Sequence, residues 1–192
     1  MQFSATEDND KMEIKGYAVL FNSPETYSYT EVIDEHALDD ADMSDVVLRY
    51  NHNDSFMVLA RTRNKSLNLS VDEKGLMIDA KLQDDISDHK NIYNAIKSGL
   101  IDKQSFAFSV DEDEYDYDTD TRTIKKIGKL YDVSVVDQPF YNSTDVSVAR
   151  SENDEFLTKR KELREEHEKQ LEEEKRQEEL KKAKEELLKK LG

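Results

Sequence analysis

Asp102-Lys103-Gln104-Ser105-Phe106-Ala107-Phe108-Ser109-Val110 alternates as a strand does. Ser105, Ala107 and Ser109 fall on one face, and Phe106, Phe108 and Val110 on the other. The first face sets a hydroxyl beside a small residue, away from the aromatic side. A nucleophile needs such a place, held by a rigid strand and uncrowded by its neighbours. Upstream, Leu48-Arg49-Tyr50-Asn51-His52 is a short apolar strand that ends in a histidine. Downstream, Leu130-Tyr131-Asp132-Val133-Ser134-Val135-Val136 carries one acidic residue among apolar ones. Histidine, serine and carboxylate form a set that can carry out acyl transfer.

The rest of the chain can be read for how it would position these three. Its 192 residues include no cysteine, which excludes disulfides and thiolate metal sites and leaves the compartment open. No apolar run is long enough to cross a membrane, and the N-terminus lacks a basic, then apolar, signal pattern. A soluble protein made in the cytosol is expected. The net charge of −16 disfavours nucleic acid and membrane surfaces as direct partners, because both need a positive footprint. That charge is unevenly spread. Residues 151–192 hold 12 basic and 14 acidic side chains, so −14 of the total lies in residues 1–150. Both prolines, all nine tyrosines and every glycine except Gly192 also lie in the first part. Three regions follow: a flexible N-terminus over 1–11, a folded domain over 12–150, and a charged helical extension over 151–192.

Within the domain, Met12–Phe21 reads as a strand in which Gly16 marks a bulge or a close backbone approach. Tyr29–Ile33 is a short strand, and Asp34 can cap a helix reaching about Ala41. Asp45–Tyr50 and Phe56–Thr62 read as strands. Ser66–Val71 and Leu76–Leu82 alternate well and are joined as a hairpin through Asp72-Glu73-Lys74-Gly75. Ser87–Ser98 reads as a helix, with Ser87 as N-cap, Ile92, Ile96 and Leu100 on one face, and Gly99 where a C′ residue belongs. The Ser105 strand and a return strand at Arg122–Lys129 form a long hairpin with an acidic tip. Leu130–Val136 continues into the domain, Pro139 stops the pairing, and Asp145–Ala149 makes a last short strand. The fold class is mainly β with α: an antiparallel barrel or sandwich packed with one or two helices, followed by a long charged C-terminal helix.

Several of these segments, taken in order, resemble the prohead (capsid maturation) proteases of tailed phages, relatives of the herpesvirus assemblins. Gly16-Tyr17-Ala18-Val19-Leu20-Phe21-Asn22 resembles that family's opening, as does Glu31-Val32-Ile33 with the following Ala37-Leu38. Val47-Leu48-Arg49-Tyr50-Asn51-His52-Asn53 resembles its histidine segment, and Leu59-Ala60-Arg61 the strand after it. Lys74-Gly75-Leu76-Met77-Ile78-Asp79-Ala80 resembles its central hairpin. Gln104-Ser105-Phe106-Ala107-Phe108 resembles its serine segment, and Leu130–Pro139 its closing motif. The resemblance covers about residues 12–149. It departs from the family pattern at Ala107, where glycine is frequent, and at Asp132, where glutamate is frequent.

The resemblance implies a serine endopeptidase acting inside the immature capsid in the host bacterial cytoplasm. Its substrates would be major capsid protein and scaffold segments, and the chain itself. His52, Ser105 and Asp132 would be catalytic, with no cofactor and no metal. Apart from the resemblance, His52 is a strand-end histidine, Ser105 one serine among many, and Asp132 an edge-strand charge that discourages aggregation. Asp54, Asp102 and Asp137 compete with Asp132 for the third position. His36 and His89 read as surface residues on helices, and His167 as a structural residue among tail glutamates. The alternative function is a non-catalytic scaffold or capsid-assembly module on the same fold.

Two further stretches bear on function. Asp116, Asp118 and Asp120 match positions 1, 3 and 5 of a calcium loop, but Thr121 stands where glycine is needed and Ile127 where glutamate is. The stretch therefore reads as a solvated hairpin tip. From about Asp154 to Leu191 the tail is rich in Glu, Lys, Leu, Arg and Gln, with opposite charges at helical spacing, such as Glu178 and Lys182. Phe156 and Leu163 are a heptad apart, but the same register then meets Gln170, Gln177 and Lys184. A solvated helix, a weak self-association element and a scaffold-like segment all fit. The helical pattern runs to the end without a stop, so a truncated or cleaved form of a longer chain is expected.

Overall fold

The computed structural model describes residues 3–5, 12–26, 28–137 and 147–191. Contacts divide the chain into two compact units, Met1–Arg150 and Ser151–Gly192. The first unit holds two sheets. Strands β1 (Phe3–Ala5), β2 (Glu13–Leu20), β8 (Gly75–Lys81) and β7 (Leu67–Asp72) form an antiparallel sheet in the order β1-β2-β8-β7. The second sheet is built on β10 (Thr121–Val136), which is 16 residues long. Along one edge it pairs antiparallel with β9 (Lys103–Asp116). Its other partners are β4 (Thr30–Ile33), beside Thr121–Ile124, and β5 (Val47–Tyr50), beside Asp132–Val135. Both run parallel to β10. Short strands β3 (Glu25–Thr26) and β6 (Ala60–Arg61) pair with β4 and β5.

Mainly β with helices is thus the observed class, with two corrections. Neither sheet closes into a barrel, and the second sheet is mixed rather than antiparallel. Parallel pairing needs a long crossover, and here the chain between β5 and β10 supplies one. The sheets share one core, in which Ile14, Val19, Leu67, Leu76 and Ile78 of the first meet Leu48, Ile124, Ile127, Leu130, Val133 and Val135 of the second. Each such side chain, fully buried, contributes about 1.5–3 kcal/mol.

Local signals locate most elements, and the structure moves some of them. Gly16 pairs regularly with Phe3 and Ile78; the irregularity lies between Tyr17 and Val19, at Ala18. The segment after Asp34 is no α-helix but a run of turns closed by Ala37 N–H to Asp34 O, Asp39 N–H to His36 O and Ala41 N–H to Leu38 O. Asp34 still acts as a cap, its Oδ1 accepting from the His36 N–H at 2.9 Å. Of Phe56–Thr62, only Ala60–Arg61 is strand.

Helix α1 (Ser87–Lys97) has Ile86, not Ser87, as its N-cap and makes no side-chain cap bond. Its other end follows the glycine signal. Gly99 takes a φ of +74°, its N–H reaches Ile96 O, and the Leu100 N–H reaches Ala95 O, as in a Schellman motif. Ile92, Tyr93 and Ile96 face the core, whereas Leu100 is 78% exposed, because the motif turns the chain away before it. The expected return strand and its continuation are a single strand, β10. The expected last strand is overturned, since residues 147–149 open helix α2 (Ser147–Leu191), while Asp145 and Val146 lie outside the described residues, as does Pro139. At 45 residues, α2 is about 68 Å long. Glu178 and Lys182 pair along it at 2.8 Å.

Gly75 ends the β7–β8 turn with a φ of +154°, and a Cβ there would stand 2.0 Å from the Val19 carbonyl oxygen. Replacing it with alanine is expected to cost roughly 2 kcal/mol or more in a urea unfolding series. Acid sensitivity follows from the carboxylates. Hydrogen bonds from Ser44 hold Asp42 at about 2, below the ordinary 3.8. Asp34, Asp45 and Asp72 are lowered by Lys125, Arg61 and Tyr17. Being lower folded than unfolded, these groups lend stability that is whole above about pH 4 and withdrawn as the pH falls toward 2. Glu31 acts oppositely, because burial raises its carboxyl. The urea midpoint should fall between pH 4 and pH 2, and Asp42→Asn should flatten that slope.

Candidate active site

The site begins with strand register. In the parallel pairing of β5 with β10, Val133 is level with Leu48, Ser134 with Arg49 and Val135 with Tyr50. Leu48, Val133 and Val135 enter the core, so Arg49, Asp132 and Ser134 project from the opposite face. Beyond Tyr50 the chain turns at once. Asn51 and His52 have φ of +52° and +51°, and the Asn53 N–H closes onto Tyr50 O at 3.0 Å. This is the pattern of a type I′ turn, here built without glycine. Asn51 anchors it twice, to β10 and to the residue just past its end: its N–H donates to Val135 O at 2.9 Å, and its Oδ1 accepts from the Asp137 N–H at 3.1 Å.

The turn folds His52 back over β10. Its Nδ1 lies 2.7 Å from Asp132 Oδ1, and the two side chains are 7% and 11% exposed. Of the competing carboxylates, Asp54 pairs with Arg49, Asp102 with Lys103, and Asp137 accepts from the Tyr50 hydroxyl. Asp132 owes its direction to a bulge. Leu130 is opposite Phe108 and Asp132 opposite Ala107, which leaves Tyr131 as the extra residue. Unbroken alternation would put Leu130 and Asp132 on one face; the bulge sends Leu130 into the core and Asp132 to the other side.

Ser105 lies on β9 directly opposite Ser134, so its side chain shares the face that carries Asp132 and His52. Neighbouring strands are about 4.8 Å apart. Ser105 is half-buried. No hydrogen bond joins it to His52, whose Nε2 is buried and has no partner among the described residues. The sequence-read residues thus share one sheet face, with histidine and acid in contact and the serine one strand away.

Sequence reasoning passed over Ser134, which has no exposed surface. Its Oγ donates to Asp132 Oδ1 at 2.8 Å and accepts from the His52 backbone N–H at 3.2 Å. The available signal was its spacing: two residues apart on a strand, Ser134 had to share a face with Asp132. The remaining histidines divide. His36 is exposed beside Asp39. His89 is buried rather than at the surface, because both ring nitrogens find backbone partners: Nδ1 accepts from the Gln83 N–H and Nε2 donates to Val58 O. At the hairpin tip, Asp116 Oδ1 accepts from the Asp118 and Thr119 N–H groups and serves the turn.

The family described as caudovirus prohead serine protease matches residues 1–159. The chain belongs to this family. No curated protein and no solved structure matches it. The match makes this prohead protease, in general terms, a serine peptidase of phage capsid maturation. It spans the whole two-sheet unit and the start of α2. No helix among the described residues is long and apolar enough to cross a membrane.

The left-handed turn that carries His52 tolerates asparagine but not a β-branched residue. Asn51→Val in this protease is expected to cost about 1–3 kcal/mol. Asn51→Gly is expected to stay within about 1 kcal/mol of wild type, since glycine offsets the lost side-chain bond. Thermal unfolding of the two variants checks both.

Proposed function

We propose that this prohead protease is a serine endopeptidase whose nucleophile is Ser105, whose base is His52 and whose orienting acid is Asp132. The observation that carries the reading is the 2.7 Å contact between His52 Nδ1 and Asp132 Oδ1, on the sheet face that Ser105 shares one strand away. With Nδ1–H given to the carboxylate, Nε2 is left bare as a proton acceptor. As Ser105 Oγ bonds to the scissile carbonyl carbon, its proton passes to Nε2, and the carbonyl oxygen takes the negative charge. Asp132 stabilises the imidazolium that results. Collapse of the intermediate breaks the C–N bond, and Nε2 returns the proton to the leaving amine. Water then attacks the acyl-enzyme with His52 again as base, freeing the acid product and Ser105.

The substrates in this reading are segments of the major capsid protein and scaffold within the procapsid, and the chain itself. Self-association through the charged helix is part of the same proposal, as is division of the chain into an N-terminal segment to residue 11, a protease domain to 150 and the extension. The second reading, a non-catalytic scaffold or capsid-assembly module, is favoured by one observation, the missing hydrogen bond between Ser105 and His52 Nε2. Catalytic hydrogen bonds that are long or absent without substrate commonly tighten on binding.

Co-expression with the capsid and scaffold proteins, followed by mass spectrometry of every fragment, separates the readings. Wild type is expected to cut and Ser105→Ala not to, while Asp132→Asn should cut about 10⁴-fold more slowly. Cleavage that persists in Ser105→Ala overturns the nucleophile. No cleavage by any form, with capsids still assembling, establishes the assembly module.

A further inference from the structure

The serine in contact with His52 is Ser134, not Ser105. Its Oγ stands 3.2 Å from Nδ1, 3.2 Å from the His52 backbone N–H and 2.8 Å from Asp132 Oδ1. It is no candidate nucleophile, because it is wholly buried and meets the ring on the side away from Nε2. What it does follows from a donor inventory. A hydroxyl has one proton. The backbone N–H of His52 can only donate, and the carboxylate of Asp132 can only accept. The proton of Ser134 must therefore point at Asp132, and its lone pairs at His52.

We infer that Ser134 is a positioning residue of this protease, a fourth member that holds the His52–Asp132 pair in its working geometry. The inference rests on the reading of His52 as base and Asp132 as orienter. One hydroxyl does three things here. It fixes the rotation of the carboxylate, so that Oδ1 faces the ring. It satisfies the backbone N–H of a residue held at a φ of +51°, and so steadies the turn that delivers the histidine. By keeping Oδ1 in place for Nδ1–H, it keeps the open nitrogen at Nε2. Alanine at this position would leave a buried N–H and a buried carboxylate each short of one partner, and both would be free to reorient.

A fluorophosphonate probe tests this without knowledge of the cleavage site. The Ser105 Oγ–P bond forms as the P–F bond breaks, fluoride leaves, and the serine proton passes to His52 Nε2. Ser134→Ala should label roughly 10–100-fold more slowly, the scale on which outer hydrogen-bond partners of metal-ligating histidines act. The loss should fall on the maximal labelling rate, not on the concentration giving half that rate. In an Asp132→Ala background, Ser134→Ala should add little, because its partner is gone. The second measurement is proton NMR of the intact chain labelled with nitrogen-15 at histidine. Wild type should show a far-downfield His52 Nδ1–H resonance, which Ser134→Ala shifts or broadens and Ser134→Thr, which keeps the hydroxyl, restores.

Wild-type labelling and an unchanged resonance in Ser134→Ala overturn the inference. So does an equal loss with and without Asp132, which marks a general packing defect. Should Ser134→Ala not fold, the inference stands if Ser134→Thr folds with the resonance and labelling of wild type, and falls if it folds without them. If wild type itself does not label, the Ser105 reading has failed, and the resonance alone decides for or against Ser134.

Discussion

The parallel pairing of β5 with β10 is the constraint on which the site depends. Leu48, Val133 and Val135 fix it, because each is held in the core. A slip of one residue would drive Asp132 and Ser134 inward and push valines out, so the register that buries the apolar set is also the one that places the acid. Both sides of β10 then contribute. β9 brings Ser105 opposite Ser134, while β5 hands the chain to the turn at Asn51 and His52. Three separate stretches of sequence converge because one 16-residue strand borders two of them and carries the third.

That strand holds buried charge at both of its ends. Near its start, Arg122 meets Asp113 at 2.6 Å and Glu31 at 3.3 Å, with its side chain only 8% exposed. Near its end lie His52 and Asp132. Buried ions are costly unless every lone pair and proton is met. The guanidinium joins strands β4, β9 and β10, so it can meet that demand while linking three segments. At the other end Ser134 performs the same service with a neutral hydroxyl. The two arrangements differ in completeness: among the described residues, His52 Nε2 is left without a partner.

What could be read from the sequence was what local chemistry writes. The β7–β8 hairpin, the glycine stop of α1 and the long acidic hairpin of β9 and β10 each depend on residues a few positions apart. Alternation around Ser105 gave its face, and the ordered motifs singled out His52, Ser105 and Asp132. The parallel pairings could not be read, because nothing in Val47–Tyr50 names its partner more than 80 residues away. The bulge at Tyr131 was equally hidden, since it exists only relative to Phe108 and Ala107. Asp34 shows a local signal outvoted: the cap is made, but β10 takes the backbone that would have continued a helix, as the bond from Ile127 N–H to Ala37 O shows. His89 was misjudged because a ring that serves two backbone groups leaves no trace in hydropathy.

His52 lies 80 residues before the carboxylate it touches. During synthesis the chain leaves the ribosome from its N-terminus, and contacts of such wide separation form only after the later partner has emerged. A nascent chain exposed as far as α1 has its histidine but neither the acid, the buried hydroxyl nor the serine strand. The two-sheet unit must be nearly complete before His52 has anything to hold it. A chain of this layout cannot bring His52 and Asp132 together for most of its own translation, a delay written into the order of its strands.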